Sequence, residues 1–261
     1  MSTSDEAGRR GTSVIGNLLD VLRCFTVQDP VQGVTEIAEK VGLHKSSVSR
    51  TLSALEAEHI VERDPASRRF RLGMGLIDVA GPLLAGLEVR AVARPHLEDL
   101  AESSRETVVL TVWNGSWATC VDQIVSPRLI KHASPLGQRY ETALSASVQV
   151  FLAAEPAHRR DELFSSGTIE LPATAREDFT ARLETVGRQG IAVNDGETQE
   201  DEFGLAAPVL DHLGGVAAAV LLAAPRYRVD ADTATALRRQ VHEAAHAASL
   251  RMGYVPGTSP A

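Results

Sequence analysis

The chain has 261 residues, of which 44% are hydrophobic and 23% charged, and its formal net charge is −8. This length exceeds one typical domain, so two domains are expected. No apolar run reaches the roughly 18 residues of a membrane helix, the polar start lacks a secretory signal, and two cysteines give no disulfide framework. The chain is expected to be a cytoplasmic globular protein that makes no contact with a membrane.

The acidic balance argues weakly against a nucleic-acid partner, but the charge is unevenly distributed along the chain. Residues 1–72 carry ten Lys/Arg and ten Asp/Glu, so the whole net charge of −8 belongs to the remainder. A neutral N-terminal segment with clustered cations can still bind phosphate groups.

The first segment predicts three helices in the order of a helix-turn-helix. SVIGNLLDVLRCF has apolar residues at helical spacing, with Thr12 or Ser13 as cap. TEIAEKVGL predicts a second helix that Thr35 caps and that ends at Gly42. HKSSVSRTLSALEAE predicts a third, longer helix with a buried apolar stripe, and such a pair places its second helix in a major groove.

The outer face of the third helix is small, polar and basic, and an arginine-rich hairpin follows it. Ile60–Arg63 and Arg69–Leu72 flank DPAS and predict a β-hairpin wing. The candidate DNA contacts are Lys45, Ser46, Ser47, Ser49 and Arg50 on the helix, with Arg68, Arg69 and Arg71 on the wing. A winged helix that binds only protein is the alternative, although its exposed face would more often mix Glu and Lys.

Three segments resemble the IclR family of bacterial transcription regulators: SVIGNLLDVLRCF, VTEIAEKVGLHKSSVSRTLSALEAEHIVERD and FRLGMGLIDVA. His44 stands where the family usually has proline, which bears on base preference. The resemblance implies a winged helix-turn-helix, a ligand-sensing domain of GAF-like or profilin-like form, and dimers or tetramers on DNA. The corresponding boundaries are tails at 1–11 and 255–261, a DNA-binding domain at 12–73, a linker helix at 74–90 and an effector-binding domain at 91–254.

The linker segment has helical apolar spacing at Leu76, Val79, Leu83 and Leu84, and Pro82 predicts a kink. ARPHLEDLAESSRE continues as an amphipathic helix. Strands are predicted at 108–114, 117–124, 129–133, IAVND, GLAAPVLD and GVAAAVLLAA, and helices at ALSASVQVFLAA, REDFTARLETVGRQG and about 231–252. This mixture indicates an α+β domain with an antiparallel sheet.

GQRYETALSASVQVFLA and GIAVNDGETQEDEFGLAAPV resemble the family segments that enclose a small organic ligand. By position, the implied lining is Gly137, Gln138, Asn194, Asp195, Glu197, Gly204, Leu221 and Ala223. Gly204 replaces a usual cysteine, and Leu221 and Ala223 replace residues that are often polar. An acidic effector with an apolar or aromatic body is one interpretation of these changes, and ordinary core packing of Leu221 and Ala223 is the other.

Two tryptophans, Trp113 and Trp117, flank the predicted turn NGS. Packing on the sheet is the simpler interpretation, and a place beside the ligand pocket or a subunit contact is the alternative.

The stretch HEAAH at 242–246 is the remaining motif, because His-Glu-x-x-His on a helix can bind zinc in a metallohydrolase. No His, Cys, Asp or Glu follows His246 to supply a third ligand, and Val241, Ala245, Ala248 and Met252 give the helix an ordinary packed face. His242 and His246 therefore indicate a solvated helix face, with a metal left open.

The preferred hypothesis is a ligand-responsive transcription regulator, not an enzyme and without a cofactor. Its expected partners are a palindromic double-stranded DNA operator, a small-molecule effector and a second copy of itself, as a homodimer or homotetramer. The alternatives are a HEAAH metallohydrolase with an N-terminal winged-helix interaction module and a winged-helix scaffold without DNA affinity.

Overall fold

The computed structural model describes residues 13–86 and 88–256. For residues 82, 84–86, 176 and 177 only the backbone is described. The chain divides into two units, the first ending at Gly86 and the second containing the rest. This division falls inside the predicted linker at 74–90. The tail predicted at 1–11, Thr12 as a cap, and residues 257–261 lie outside the described residues.

Three helices form the core of the first unit: α1 (Val14–Arg23), α2 (Val34–Val41) and α3 (Lys45–Ala57). Val21, Ile37 and Leu52, one from each helix, are fully buried against each other. Gly42 adopts a left-handed conformation with φ of 69°, which ends α2 and turns the chain into α3. The predicted helix-turn-helix is therefore confirmed.

The start of α2 differs from the expectation that Thr35 caps it. Gly33 precedes the helix, and the Glu36 carboxylate accepts a hydrogen bond of 3.1 Å from the Gly33 N–H. Thr35 lies one residue inside the helix, because a carboxylate in the first turn satisfies the free N–H group instead of a hydroxyl.

The wing consists of two antiparallel strands, β1 (Val61–Arg63) and β2 (Phe70–Leu72), each within one residue of its predicted bounds. Phe70 also pairs with Gln32, which attaches the segment before α2 to the wing. After the wing the backbone passes so close to His59 that a Cβ atom at Gly73 would lie 2.2 Å from the His59 carbonyl oxygen. Only glycine fits that position without backbone movement. Next comes α4 (Gly75–Gly86).

The second unit contains one six-stranded antiparallel sheet in the order β5-β4-β3-β8-β7-β6. Its strands are β3 (Thr107–Trp113), β4 (Ala118–Ile124), β5 (Arg139–Tyr140), β6 (Ala192–Asp195), β7 (Glu202–Leu210) and β8 (Val216–Pro225). The helices are α5 (Glu88–Ser104), α6 (Ala146–Ala154), α7 (Ala157–Ser165), α8 (Arg176–Gln189) and α9 (Ala231–Arg251). The predicted α+β class with an antiparallel sheet is confirmed.

Helices cover both faces of this sheet, and alternation along β8 divides the core in two. Leu222 faces the cluster that contains Leu97 of α5 and Val241 of α9. Leu221 faces the opposite cluster, with Phe151 of α6 and Leu183 of α8. Because successive strand residues point to opposite faces, both layers bury apolar side chains from one strand.

In the second unit one predicted strand is wrong, and two elements of the structure were not predicted. Residues 129–133 form no strand, and Leu129 and Ile130 are exposed. The helix α7 and the two-residue strand β5 were not predicted, since α7 is short, charged and buries only Leu163.

Among the described residues, no helix combines the length and apolar character needed to cross a membrane.

Candidate nucleic-acid interface and effector cavity

The outer face of α3 carries the residues that the sequence singled out. Lys45, Ser46, Ser49 and Arg50 are exposed, whereas Ser47 is half-buried. The Lys45 ammonium and the Arg50 guanidinium form no ion pair or hydrogen bond within the described part of the chain. Both cations are therefore free to meet an external anion or base edge.

The three wing arginines differ in how their guanidinium groups are used. Arg69 is ion-paired with Glu36 of α2, and the Arg71 Nε donates to Glu62 Oε1 across the hairpin at 2.7 Å. The Gly33 N–H and the Arg69 guanidinium hold the pKa of Glu36 below its usual value, so this carboxylate stays charged. Arg68, at the turn with φ of 57°, is exposed and has no ion-pair partner among the residues described.

In the second unit, a cavity of about 260 Å³ lies between β6, the start of α6 and the loop before β5. Four of the eight residues implied by the resemblance line it: Gln138, Asn194, Gly204 and Leu221. Asn194 is buried, and its Oδ1 accepts the Glu197 N–H at 2.9 Å, which closes the loop after β6. The side chain of Asn194 thus shapes the cavity while its own polar atoms are engaged.

Gly204 and Leu221 form an apolar wall of this cavity. A Cβ atom at Gly204 would lie 3.5 Å from Asn194 Cβ, 3.7 Å from Leu221 Cδ1 and 3.9 Å from Ala146 Cβ. These are ordinary contact distances, so the missing side chain leaves open volume and relieves no clash. Glycine here enlarges the cavity at its apolar side.

The polar side of the cavity comes from residues that the sequence analysis did not select. Burial raises the pKa of the Tyr140 phenol well above its usual value, with a smaller opposite effect of the nearby Ser134 hydroxyl. The buried Tyr140 oxygen forms no hydrogen bond to any described residue. Glu202 also lines the cavity and accepts a hydrogen bond of 3.0 Å from Thr198 Oγ1. A protonated phenol and a carboxylate therefore face the same space.

Tyr140 was not predicted because it is not among the positions that the resemblance implies as cavity lining. A tyrosine in RYETALS is also typical of a residue that only packs in the core. The available signal was its place five residues before the serine that starts α6. Further lining residues of this polar side are His132, Ser134, Arg139, Ser145 and Gln199.

The other four implied residues do not line this cavity. Gly137 precedes Gln138 and its N–H donates to the Cys120 carbonyl at 2.8 Å, while Ala223 lies buried in β8 opposite Gly204. Asp195 pairs with Arg226 at 2.6 Å, and Glu197 forms a bidentate pair with Arg182 at 2.8 and 2.9 Å. Asn194 and Asp195 are divided because successive residues of β6 point to opposite sides of the strand. The assignment of all eight residues to an effector site stays a prediction.

Both tryptophans pack on neighbouring side chains. Trp113 stacks on Phe151 with 5.4 Å between ring centroids, and its Nε1 donates to Glu155 at 2.8 Å. The guanidinium of Arg139 lies 4.1 Å from the ring centroid of Trp117. Since Arg139 lines the cavity, Trp117 helps to position one of its walls.

The HEAAH stretch lies on α9 with His242, Glu243 and His246 exposed. The two imidazole rings are nearly parallel, with centroids 6.4 Å apart. Across residues 13–86 and 88–256, no group of three or more His, Cys, Asp or Glu side chains is arranged to hold a metal ion. Glu243 is 3.8 Å from Arg239 in an exposed contact, as on any charged helix face.

A winged helix-turn-helix and a separate α+β unit with a cavity define a transcription regulator with a DNA-binding and an effector-binding domain. The IclR helix-turn-helix domain model matches residues 14–65, and the bacterial transcriptional regulator IclR C-terminal model matches residues 82–250. The chain belongs to the IclR family of bacterial transcription regulators.

Relatives of known name agree with this family. The glycerol operon regulatory protein of Streptomyces griseus is 31% identical over 85% of this chain and 89% of its own length. The regulator TtgV of Pseudomonas putida is 31% identical over 83% of this chain and 79% of its own. An IclR homologue of Microbacterium hydrocarbonoxydans, solved in complex with 4-hydroxybenzoate, shares the fold with a TM-score of 0.77 at 23% identity, covering 92% of this chain and 99% of that one.

The family settles the choice between a regulator and an enzyme. Its domains and named relatives are transcription regulators, so the protein is not a HEAAH metallohydrolase. The helix-turn-helix is likewise that of a DNA-binding family, which excludes a scaffold without DNA affinity.

Proposed function

We propose that the first unit binds a palindromic operator with α3 in the major groove. The observation that carries this proposal is the exposed pair Lys45 and Arg50, unpaired in the part of the chain that the structure describes, among small hydroxyl side chains on the first turns of α3. Arg50 can reach a guanine edge with two hydrogen bonds, and Ser46 and Ser49 are short enough to let the helix approach the bases. Ser47, half-buried, is assigned a backbone-facing place at the edge of this surface.

The wing contacts the phosphate backbone beside the groove. Arg68 at the turn forms no ion pair within residues 13–86 and 88–256, whereas the ion pairs of Arg69 and Arg71 hold the two strands and α2 in place. We assign Arg68 the main phosphate contact of the wing. Arg69 and Arg71 remain half-exposed, and they add positive potential near the backbone rather than specific contacts.

The regulator acts as a homodimer or as a dimer of dimers in the cytoplasm, where the bacterial chromosome lies. Exposed apolar side chains on α4 support self-association: Ile77, Val79 and Leu83 are 52%, 72% and 69% exposed. On α1, Val14 and Ile15 are exposed as well. Clustered exposed apolar side chains mark interaction surfaces, and a two-fold dimer matches a palindromic operator.

The cavity of the second unit binds a small organic acid with an apolar or aromatic body. Leu221, Gly204 and Ala146 offer the apolar wall, and the Tyr140 phenol offers a hydrogen-bond donor for a carboxylate or carboxyl oxygen. The relative from Microbacterium hydrocarbonoxydans was solved with 4-hydroxybenzoate, an aromatic acid of this kind. Effector binding then changes the operator affinity by favouring one arrangement of the regulator.

The test is fluorescence anisotropy of the full chain with DNA from upstream of its own gene, at about 0.15 M salt with excess competitor DNA. Saturable binding that survives competitor is expected, and aromatic acids added to the complex should change the anisotropy. Selection of bound fragments from genomic DNA extends the test to distant operators. Failure to enrich any sequence in that selection would overturn the proposal of specific operator binding.

Sedimentation velocity tests the proposed oligomer independently. The wild-type chain should sediment as a dimer or larger, and Val79→Lys on α4 should shift it towards the monomer. Glu88→Lys, an exposed change of charge on the next helix, serves as the matched control. A monomeric wild-type chain at micromolar concentration, with or without operator DNA, would contradict the proposal.

A further inference from the structure

A second and larger cavity of about 750 Å³ runs along the free edge of β6. The wall on one side is α8, which contributes Thr185 and Val186, and Arg238 of α9 reaches it from the other side. Asn194 of β6 lines the effector cavity, whereas its neighbours Val193 and Asp195 line this second one. Successive strand residues point in opposite directions, so Asn194 faces one cavity and its neighbours the other, and the two cavities share no lining residue.

Gln149 of α6 gives this cavity an unused hydrogen-bond acceptor. The side chain is 0% exposed, and its Nε2 donates to the Leu144 carbonyl at 2.9 Å and to the Val193 carbonyl at 3.1 Å. Two carbonyl partners fix the orientation of the amide, because only the NH₂ group can donate to both. The buried Oε1 has no partner among the described residues, and a buried acceptor without a donor is unfavourable.

Some of the charged side chains that line the cavity form ion pairs, and others form none with the described residues. Arg182 is held by Glu197, and Asp195 by Arg226. Arg238 is half-buried and has no ion-pair partner in the described ranges. Asp178, an exposed carboxylate on the same lining, is also unpaired there. The Arg238 guanidinium can therefore pair with one carboxylate of a ligand, whereas the Asp178 carboxylate repels a second one.

The remaining wall is apolar, with Val186, Ile191 and Val193 on the lining. A hydrocarbon body can therefore lie between the charged groups and Gln149. The combination of an apolar wall with a few placed polar groups is typical of small-molecule sites.

We propose that this cavity is a second ligand site, which binds a monocarboxylic acid that also carries a hydroxyl or amino group. The ligand carboxylate pairs with Arg238, its O–H or N–H donates to Gln149 Oε1, and its hydrocarbon part packs on Val186 and Ile191. This site is distinct from the effector cavity of the proposed function, and its occupancy does not require operator binding.

Isothermal titration calorimetry of the full chain without DNA tests this site. The probes are 2-hydroxyhexanoate and 2-aminohexanoate, with hexanoate as the acid that lacks a donor and hexylamine as the donor that lacks a carboxylate. We expect at least one of the two donor-bearing acids to bind tenfold or more tightly than hexanoate, and hexylamine to give no saturable heat.

The variants separate this site from the rest of the protein. Arg238→Gln should weaken binding of the tighter acid at least tenfold, whereas Arg239→Gln, an exposed neighbour outside the lining, should leave it unchanged. Tyr140→Phe, in the effector cavity, should also leave it unchanged. Gln149→Met provides a second test, with its melting temperature recorded because the amide also holds two carbonyls.

Binding of hexanoate equal to that of both donor-bearing acids would overturn the role of Gln149. Equal binding by the Arg238→Gln and Arg239→Gln variants, or no binding of either donor-bearing acid at millimolar concentration, would overturn the site. Loss of binding in Tyr140→Phe would place the ligand in the effector cavity instead. These titrations contain no DNA, so each outcome can be interpreted even if the protein does not bind an operator.

Discussion

The Nε atom of Arg71 donates a hydrogen bond of 2.7 Å to the Oε1 atom of Glu62, directly across the wing hairpin. The two residues are register partners on β1 and β2, so this contact connects the strands. A cross-strand ion pair stabilises a two-stranded ribbon modestly. It also neutralises one of the three wing arginines, whereas Arg68 at the turn stays free. Three wing arginines that are equivalent by sequence pattern therefore differ in their ion pairing in the structure.

Replacing Arg68 by Gln should lower the dependence of operator affinity on salt. Each phosphate contact contributes a slope of about 0.9 in log affinity against log salt, so Arg68→Gln should reduce the slope by about one. Arg71→Gln is the matched control and should change the slope less, because Glu62 already neutralises its charge. Anisotropy titrations between about 0.05 and 0.2 M salt measure both slopes. A larger reduction for Arg71→Gln would reverse our assignment of the wing contacts.

Replacing Arg50 by Ala should weaken operator binding and relax its sequence preference. A bidentate contact to guanine contributes about 1–3 kcal/mol of discrimination, which corresponds to roughly 5- to 150-fold in affinity. Arg23→Ala on α1, an exposed arginine paired with Asp20, is a control for the loss of one positive charge. If Arg50→Ala lowers affinity for operator and unrelated DNA by the same factor, Arg50 contacts phosphate and does not read bases.

Replacing Tyr140 by Phe should weaken effector binding while making the protein no less stable. The phenol oxygen is buried without a hydrogen-bond partner among the described residues, and removing such a group relieves a cost of about 1–3 kcal/mol. We expect the free energy of unfolding to rise by about 1 kcal/mol, and the affinity for 4-hydroxybenzoate or another aromatic acid to fall. Chemical denaturation and calorimetry measure the two effects. A less stable variant with unchanged effector affinity would show that the phenol only supports the fold.

The α9 cap should contribute to the pH dependence of stability. Asp230 Oδ1 accepts the Thr233 N–H at 2.8 Å, and the Thr233 side chain and backbone N–H hold the pKa of Asp230 below its usual value. A lowered folded-state pKa means that this stabilisation is complete above the unfolded value of about 4 and is lost as pH falls through the folded value.

Asp230→Asn keeps a capping oxygen but does not titrate. Between pH 6 and 3 its melting temperature should therefore fall less than that of the wild type. Asp232→Asn, two residues further along in the first turn of α9 and not the cap, is the matched control. Parallel pH profiles of Asp230→Asn and the wild type would contradict the role of the Asp230 charge.

Much of the first unit follows from local sequence patterns. The apolar stripe of Val48, Leu52 and Leu55 fixes the buried face of α3 and thereby exposes Lys45 and Arg50. Such helices and the short hairpin depend on neighbouring residues, so their bounds were predicted to within a few positions. Thr35 is not the cap that was predicted, because the first-turn carboxylate of Glu36 accepts the Gly33 N–H instead.

The candidate effector site was only half predictable. Gln138, Asn194, Gly204 and Leu221 could be placed by resemblance, because each belongs to a segment similar to the family. The polar groups opposite them, Tyr140 and Glu202, lie in the same two segments, but only the pairing of β5 and β7 in the sheet brings their side chains to one cavity.

By itself, the sequence determined the two-domain plan, the helix-turn-helix and its outward face, since these depend on periodicity and on turns within a few residues. The tertiary structure decided which arginines are ion-paired, on which side of β6 each polar residue lies, and that Gln149 Oε1 meets no donor from the described residues. Those outcomes depend on partners far along the chain: Glu36 lies 33 residues from Arg69, and Gln149 lies 44 residues from Val193. Contacts of that separation are set by how the strands and helices pack, which no local pattern contains.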